Sequence, residues 1–518
     1  MMAGKLLPVL SWLLNFLRVL SVLCVPFLLI GVSCTRTGQG RAGNSGVAFD
    51  VAAGGNGGRG TGDGGCVLAR QRNIQILLKA MADLSSEPSV AAPPSSRAAG
   101  AVRALKHRNF QLFFSGQLIS LIGTWMQNVA QAWLVYRLTG SSVLLGAVAF
   151  ASQFPVFLAA PFGGITADRH NRHRIVIATQ VVSMILASVL AWITLSHRVQ
   201  VWHLFVLAVL LGVVNGYDIP ARQSFIVDMV GREDLMNAIA LNSSMFNGAR
   251  IVGPAVAGIL VAEIGEGWCF FANAVSFIAV IAGLLLMRVQ SRPIAGTVQT
   301  PWENLKEGFV FVRGARPIRA LLLLLGLVSL VGMPYAVLMP IFADRILHGG
   351  ARGLGILMGS TGVGALLGAL TLAAKKGLRG LGRWITYAAA MFGISMVVFS
   401  ASRSFWLSVV LLLPVGFAMM LQMSSSNTLI QSMVPDRLRG RVMAVYTMMF
   451  MGMAPFGALF AGVMAKIVGA PLTIAVGGLG CIAGAAVFGT QLSSIRAEAR
   501  QMIIAQQAAG GDPAQETT

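Results

Sequence analysis

The chain has 518 residues, of which 56% are hydrophobic and only 11% are charged, and its mean hydropathy is +0.74. Soluble proteins carry about 25% charged residues, so this chain has too little polar surface to cover a globule in water. The formal charge of +21 would suit a nucleic-acid-binding protein, but the distribution of the basic residues, described below, argues against that class.

The first 100 residues differ from the rest of the chain. Residues 6–30 are apolar, but Asn15 and Arg18 interrupt them, and a Gly-rich stretch without periodicity follows. One interpretation is a signal sequence or a thirteenth membrane span. The interpretation that we favour is a start codon annotated too early, because the sequence from Met81 onward resembles a short cytoplasmic tail. We therefore expect residues 1–100 to be either a disordered or a mis-annotated extension.

Twelve apolar stretches follow, each long enough to cross a bilayer. A helix needs about 20 mostly apolar residues to do so. The predicted spans lie at residues 110–136, 143–166, 175–195, 202–222, 238–262, 268–287, 320–342, 353–374, 384–401, 405–431, 442–464 and 471–491. Of the 30 Lys and Arg residues from residue 101 onward, 22 fall in loops on one side, 6 in loops on the other, and 2 within helices. Such asymmetry places the basic side, and with it both termini, in the cytoplasm.

The two halves of this region repeat each other. At a shift of 204 residues, Gly212 aligns with Gly416, and the glycines at positions 248, 253 and 258 align with those at 452, 457 and 462. Between the halves lies the only long loop, where Trp302, Leu305, Phe309 and Val312 recur at helical spacing, as in an amphipathic helix. The pattern predicts an N-terminal six-helix bundle (101–287), a linker with a surface helix (288–319), a C-terminal six-helix bundle (320–491) and a cytoplasmic tail (492–518).

The loop after the second span reads GITADRHNRHR and resembles the loop motif of major facilitator transporters. The matching positions are Gly164, Asp168, Arg169, Arg172 and Arg174. Asn171 replaces the usual glycine, and His173 replaces a usual basic residue. We expect the glycine to permit close helix approach and the acid to pair with basic groups or a helix N-terminus in one conformational state. The alternative is a solvated charged loop.

The fifth span contains GARIVGPAVAG, which resembles the fifth-helix motif of major facilitator antiporters and exporters. Gly248, Gly253, Pro254 and Gly258 carry the resemblance, whereas Ala249 and Ala257 stand where glycines are more usual. Small residues allow helices to approach closely, and a proline can bend the helix. The alternative is ordinary packing of small residues in a membrane helix.

Residues 103–490 resemble the major facilitator branch that includes bacterial enterobactin exporters. LKHRNFQLFFSGQLIS, DIPARQSF and VPDRLRGRVMAVY carry this likeness. It implies an all-α membrane protein with twelve transmembrane helices in two pseudo-symmetric bundles, and an exporter of a siderophore or drug driven by protons. The alternatives are a nutrient uptake permease and a non-transporting sensor or scaffold. The implied partners are a small-molecule substrate, protons and the lipid bilayer.

Polar side chains recur within two of the spans. In the first span they lie three or four residues apart, which predicts one helix face lining a central cavity; the alternative is hydrogen bonding between helices. The predicted cavity-lining residues are Gln117, Ser120, Thr124, Gln127, Asn128, Gln131, Gln422 and Asn427.

Three charges fall inside predicted spans, which is rare and often functional. Asp218 and Arg222 lie four residues apart in the fourth span, and Arg250 lies near the middle of the fifth. We expect Asp218 to be the partner of Arg250, in a structural ion pair or in substrate or proton binding. Protonation of Asp218 would then couple transport to the gradient.

The sequence gives no sign of enzyme chemistry. No pair of its five cysteines has metal-ligand or CxxC spacing, there is no Walker motif, and no Ser-His-Asp arrangement stands out. We therefore expect no metal, no cofactor and no catalytic site.

Overall fold

The computed structural model describes residues 103–231, 233–288, 301–375 and 377–508. The predicted extension at residues 1–100 and residues 289–300 of the linker lie outside these ranges. The long helices are α1 (Arg108–Thr139), α2 (Ser142–Arg169), α3 (Arg172–Leu195), α4 (Val201–Val230), α5 (Leu235–Ile264), α6 (Glu266–Leu285), α7 (Pro301–Gly314), α8 (Arg316–Ile346), α9 (Gly350–Ala374), α10 (Leu381–Ala401), α11 (Phe405–Met433), α12 (Arg437–Val468), α13 (Ala470–Thr490) and α14 (Leu492–Ala508).

Eleven of these helices, α2–α6 and α8–α13, are long and apolar enough to cross a membrane. The remaining member of the first half, α1, has 32 residues, but amide and hydroxyl side chains interrupt its apolar sequence. It packs lengthwise against α5 and α6, which makes it part of the same bundle. The described residues thus form a helical membrane protein with six long helices in each half.

The two halves are packed in the same way. In the first, α2 packs against α4 and α3 packs against α6, and in the second, α9 packs against α11 and α10 against α13. The glycines that align in the sequence repeat take equivalent places. Gly212 of α4 lies against the backbone of α2, and Gly416 of α11 lies against the backbone of α9. A side chain at either position would overlap the neighbouring helix, so both glycines permit close contact.

The halves meet tightly at one end of the molecule, here called the sealed side, where α1 ends and α2 begins. A Cβ atom on Gly258 of α5 would lie 2.8 Å from the Cα atom of Gly355 of α9. The equivalent crossing brings Gly462 of α12 against Gly146 of α2, with a corresponding distance of 3.1 Å. Ser142 Oγ donates a hydrogen bond of 2.8 Å to the carbonyl of Gly462. Backbone contact between small residues therefore closes this side.

Ion pairs and hydrogen bonds reinforce the sealed side. Arg352 of α9 forms an ion pair with Glu263 of α5. The Tyr136 hydroxyl of α1 donates a hydrogen bond of 2.7 Å to Asp344 at the end of α8. At the opposite end, the mouth side, the halves separate and leave a wide opening.

Helix α8 is irregular, unlike its counterpart α1. Two π-helical turns, Val328–Gly332 and Phe342–Ile346, interrupt it, and Pro334 and Pro340 lie between them. A π turn shifts the side chains that follow it around the helix, and such turns often occur at functional sites. Tyr335 comes directly after the first one.

The linker helix α7 lies on the mouth side, against the start of α12. A Cβ atom on Gly308 would lie 2.7 Å from the carbonyl oxygen of Arg441, and Glu307 forms an ion pair with the Arg441 side chain. The amphipathic linker helix thus contacts the second half beside the mouth.

Candidate functional site

A cavity of about 1700 Å³ lies between the two halves and opens to the mouth side. Its walls come from α1, α2 and α4 of the first half and from α8, α9 and α12 of the second. Most of the lining is apolar. The polar exceptions along its depth are Asn128, Gln131, Ser152, Gln153, Asn215 and Thr447. A large apolar chamber with a few amide and hydroxyl groups suits a small amphipathic molecule.

Charged residues surround the mouth of this cavity. Asp168 and Arg169 at the end of α2 face Arg437 and Arg441 at the start of α12, and Leu305 of α7 completes the rim. The predicted loop motif therefore lies at the entrance.

Within the loop motif, the side chains differ in their contacts. Asp168 is 69% exposed, and its nearest cation, Arg172 Nη2, is 3.9 Å away. Arg172 instead donates hydrogen bonds to the carbonyl of Ser224 (3.2 Å) and to Asp228 (3.3 Å), both on α4. Asp168 is thus available at the rim, while Arg172 attaches the loop to the end of α4.

The other two positions of the loop motif that were predicted are Arg174 and Gly164. Arg174 is exposed, and its backbone N–H donates to the side chain of Asn171 at 3.3 Å, which caps the N-terminus of α3. The prediction for Gly164 is wrong, because open space surrounds it in this conformation and it faces the cavity. Its neighbour Gly163 makes the close approach instead, against Gly216 of α4.

The four residues of the exporter-like motif of α5 lie in four different surroundings. Open space adjoins Gly248. A Cβ atom on Gly253 would lie 2.9 Å from the carbonyl oxygen of Ile122, so α5 packs closely on α1 there. Gly258 forms the glycine crossing of the sealed side. Pro254 lines a second, smaller chamber, which is described below.

The structure divides the predicted polar face of α1. Asn128 and Gln131 line the cavity, whereas Gln117, Ser120 and Gln127 are buried at 2%, 2% and 4% exposure. Asn273 of α6 donates a hydrogen bond of 2.7 Å to Gln127. The cavity-lining prediction is wrong for these three residues.

The rotation of α1 about its axis explains the division. Trp125, Asn128, Ala132 and Val135 form the cavity face, while Gly123 brings the polar face against Asn273 and Ser276 of α6. Thr124 forms its hydrogen bond within α1, because its hydroxyl donates to the carbonyl of Ser120 at 2.9 Å. Gly116 and Gly123, which share the polar face, were the sequence signal for close helix packing there.

The prediction is also wrong for α11. Gln422 is 1% exposed and lies inside the second half, and Asn427 forms a hydrogen bond with Gln431 of its own helix. Neither lines the cavity. Helix α11 packs against α9 and α10, and the Gln422 side chain is buried in this bundle.

Asp218 of α4 is almost completely buried, at 3% exposure. Its Oδ1 atom accepts hydrogen bonds from Thr179 Oγ1 (2.8 Å) and Gln180 Nε2 (2.9 Å) of α3. Its Oδ2 atom lies 3.2 Å from Arg222 Nε, one turn further along α4. The predicted pairing of Asp218 with Arg250 is therefore wrong, because the arginine on the same helix is already in place.

Arg250 of α5 lies where the two halves meet. Its guanidinium lies 5.7 Å from the ring centroid of Trp125, and its Nη2 atom lies 3.9 Å from Met419 Sδ of α11. Among the described residues, no carboxylate lies within 4 Å of it. It lines a chamber of about 230 Å³ together with Gln153, Tyr335 and Thr361. Sequence reasoning identified Arg250 but not this chamber, because Tyr335 reaches it only through the irregular turn of α8.

Comparisons with known proteins agree with this architecture. Residues 99–509 match the model of a family described as transmembrane secretion effector. The staphyloferrin A transporter of Staphylococcus aureus is 26% identical over 73% of this chain and 94% of its own length. The multidrug efflux pump Tap of Mycolicibacterium fortuitum is 26% identical over 67% of this chain and 87% of its own. The enterobactin exporter EntS of Shigella boydii is 24% identical over 66% and 81%.

A solved structure shows the same fold. A bacterial homologue of the iron transporter ferroportin, in an inward-facing state, has a TM-score of 0.59 and 15% identity, covering 74% of this chain and 99% of its own. Since the family match extends over most of the chain, the protein belongs to the transmembrane secretion effector family of the major facilitator superfamily, and it is a multi-pass membrane transporter rather than an enzyme.

Proposed function

We propose that this protein exports a small amphipathic molecule, a siderophore or a drug, from the bacterial cytoplasm in exchange for protons. The observation that carries the proposal is the cavity of about 1700 Å³ between the halves, closed on one side and open on the other. Alternating access requires such a central site between two pseudo-symmetric bundles. The cargo class follows the named activities of the relatives, which include siderophore transport and multidrug efflux.

The positive-inside rule orients the protein. The basic loops, with 22 of the 30 Lys and Arg residues from residue 101 onward, lie on the mouth side. The mouth therefore faces the cytoplasm, both termini are cytoplasmic, and the membrane is the bacterial inner membrane. In this conformation the site is open to load cargo from inside the cell.

Asp218 is our proton-coupling residue. It lies one position before Ile219, which lines the cavity, so a change at Asp218 can reach the cargo site through α4. Protonation would cancel the charge that holds Arg222 at 3.2 Å and would weaken the bonds from Thr179 and Gln180. Weaker bonds from Thr179 and Gln180 of α3 would then change the packing of α3 against α4.

Asp168 is the residue to which we assign the closing of the mouth. It is exposed at the rim and faces Arg437 and Arg441 across the opening. When the halves close on this side, its carboxylate approaches these cations and the N-terminus of α12, which favours a negative charge. Such a contact exists in one state only, so it biases the equilibrium between states.

The test is efflux from cells that carry the full chain, measured against a panel of siderophores and drugs with and without an uncoupler. We expect at least one compound to leave the cells faster than from vector controls, and the uncoupler to abolish the difference. An Asp218→Asn variant at equal membrane level should transport more slowly and lose its response to the pH gradient. Energised accumulation instead of efflux would contradict export and identify an uptake permease.

A further inference from the structure

We propose that the small chamber beside Arg250 is a subsite for an anionic group of the cargo, a carboxylate. This inference rests on the proposed function, because it takes the central cavity as the place where the cargo binds. It adds a chemical class to that cargo: an amphipathic molecule with a carboxylate at one end.

Arg250 has no counter-charge among the described residues. A guanidinium offers five N–H donors and cannot readily lose its proton. Within the described part of the chain, its neighbours are a thioether sulfur at 3.9 Å and the face of an indole ring. These contacts are weaker than a charge-assisted bond to a carboxylate. A charge held inside the membrane in this way is costly and usually marks a substrate path.

The chamber has both the space and the polar groups that a carboxylate needs. Its volume of about 230 Å³ exceeds the roughly 30 Å³ that one water molecule occupies in the liquid, so it has space for a small charged group. Gln153, Tyr335 and Thr361 supply an amide and two hydroxyl groups around the guanidinium. Such groups can bond the second oxygen of a carboxylate that Arg250 holds.

The small chamber is continuous with the large cavity. Trp125, Ala336, Val337 and Met358 line both the small chamber and the large cavity. The chamber is therefore the deep end of the cavity. A cargo that enters from the mouth with its apolar part in the large cavity can direct its carboxylate to Arg250.

The backbone around the chamber is irregular. The π turn Val328–Gly332 and Pro334 of α8 come directly before Tyr335. On α5, Pro254 has no N–H to donate to the carbonyl of Arg250, four residues earlier. A break on each wall permits local adjustment around a ligand, which regular helices would resist.

The chamber also joins the two halves. Arg250 and Gln153 come from the first half, and Tyr335 and Thr361 from the second. A carboxylate held between them would hold both halves in the loaded state. The carboxylate of the cargo would therefore influence the conformational transition between the two halves as well as the binding of the cargo.

The test is carboxylate binding to the purified full chain in detergent, measured by calorimetry and thermal stability. The probes are benzoate, its neutral isostere benzamide, and chloride as the free inorganic anion. We expect benzoate to bind and to raise the melting temperature, and benzamide to bind at least tenfold more weakly. Equal binding of the two probes, or no binding of benzoate, would overturn the proposal. A chloride response equal to that of benzoate would do so too, because the site would then serve a free anion.

Three variants test whether Arg250 is responsible for the binding of benzoate. Arg250→Gln should weaken benzoate at least tenfold, whereas Arg250→Lys should retain part of the affinity because it keeps the charge. Arg198→Gln, which removes a guanidinium from an exposed loop, is the matched control and should bind benzoate as the wild type does. Unchanged benzoate affinity in Arg250→Gln would contradict the subsite.

Two further measurements keep the proposal open to refutation. If Arg250→Gln does not insert, Tyr335→Phe tests the chamber with a smaller change, and we expect a severalfold loss for benzoate with none for benzamide. The efflux panel separates the two proposals. Benzoate binding that depends on Arg250 without export of any compound would refute the exporter alone. Export of carboxylate cargo that is unaffected in Arg250→Gln would refute the subsite alone.

Discussion

Asp218 and Arg250 both carry a charge inside the membrane, on neighbouring helices of the same bundle, but their surroundings are opposite. Asp218 has two hydrogen bonds and an ion pair, all from α3 and α4. Arg250 lies where the halves meet, beside a chamber, and no carboxylate of the described residues pairs with it.

The difference separates two uses of a buried charge. A carboxylate whose partners all belong to one bundle keeps those partners when the halves move, so only protonation changes its state. A guanidinium between the halves has surroundings that change with the transport cycle and with the cargo. The first suits coupling to protons, and the second suits substrate recognition.

The largest expected effect concerns Asp218, the buried charge that has its partners in place. Arg222→Ala should lower the stability of the protein by about 2–3 kcal/mol, because it leaves Asp218 buried with hydrogen bonds but without its counter-charge. The double variant with Asp218→Asn should regain part of this loss. The measurement is a double-mutant cycle on thermal stability in detergent.

The matching cycle between Asp218→Asn and Arg250→Ala should be additive within about 0.5 kcal/mol, since the two side chains share no partner. A coupling as large as that of Arg222 would mean that Asp218 and Arg250 meet, and it would remove the contrast between the two sites.

The next effect concerns the seal that holds the halves around Arg250. A Cβ atom on Gly355 would lie 2.6 Å from the Cα atom of Gly258 and from the carbonyl oxygen of Pro254. Gly355→Ala should therefore weaken the sealed side by about 1–3 kcal/mol and slow transport. Labelling of cysteines introduced near the crossing should become faster.

Gly248→Ala is the matched control for this substitution, because open space surrounds Gly248 in this conformation. It should change the labelling little. Equal labelling of both variants would show that the glycine crossing does not hold the sealed side.

A smaller effect concerns the exposed acid at the mouth. Asp168→Asn should reduce the initial transport rate about tenfold, or about 1.4 kcal/mol of barrier, while leaving the amount of inserted protein and its melting temperature close to wild type. The reason is that its carboxylate is 69% exposed and makes one distant contact in this state. Asp218→Asn, by contrast, should lower both the transport rate and the melting temperature. Wild-type transport by Asp168→Asn would refute the mouth-closing role.

The smallest effect is a pH dependence outside the membrane. Asp234 directly precedes α5, and a hydrogen bond with His107 (2.7 Å), together with Arg103 (2.9 Å), holds the pKa of its carboxyl below the ordinary value of 3.8. A lowered pKa means that the stabilisation is complete well above pH 3.8 and is lost as the pH falls through the lowered value.

Asp234→Asn should remove this acid dependence. The measurement is melting temperature against pH for both proteins. An unaltered acid limb in the variant would show that other carboxyl groups cause it.

The sequence determined the class of this protein and its helices, and it predicts the orientation. Each of these depends on local properties: the length of apolar stretches, the spacing of glycines at 204 residues, and the excess of basic residues in alternate loops. Tertiary contacts do not alter them, because a helix that crosses a bilayer must satisfy its own backbone. The family motifs at Asp168 and Gly253 were visible for the same reason.

Only the tertiary structure decided which face of each helix lines the cavity and which face packs against a neighbouring helix. Consecutive residues are about 100° apart around a helix, and close packing sets the rotation. Contact with α6 turned Gln127 of α1 away from the cavity, and Gly163 rather than Gly164 met α4. Asp218 pairs with Arg222, one turn away on its own helix, whereas Arg250 lies beside the chamber. These choices depend on distances between helices, and apart from the glycines at positions 116 and 123 no local pattern in the chain encodes them.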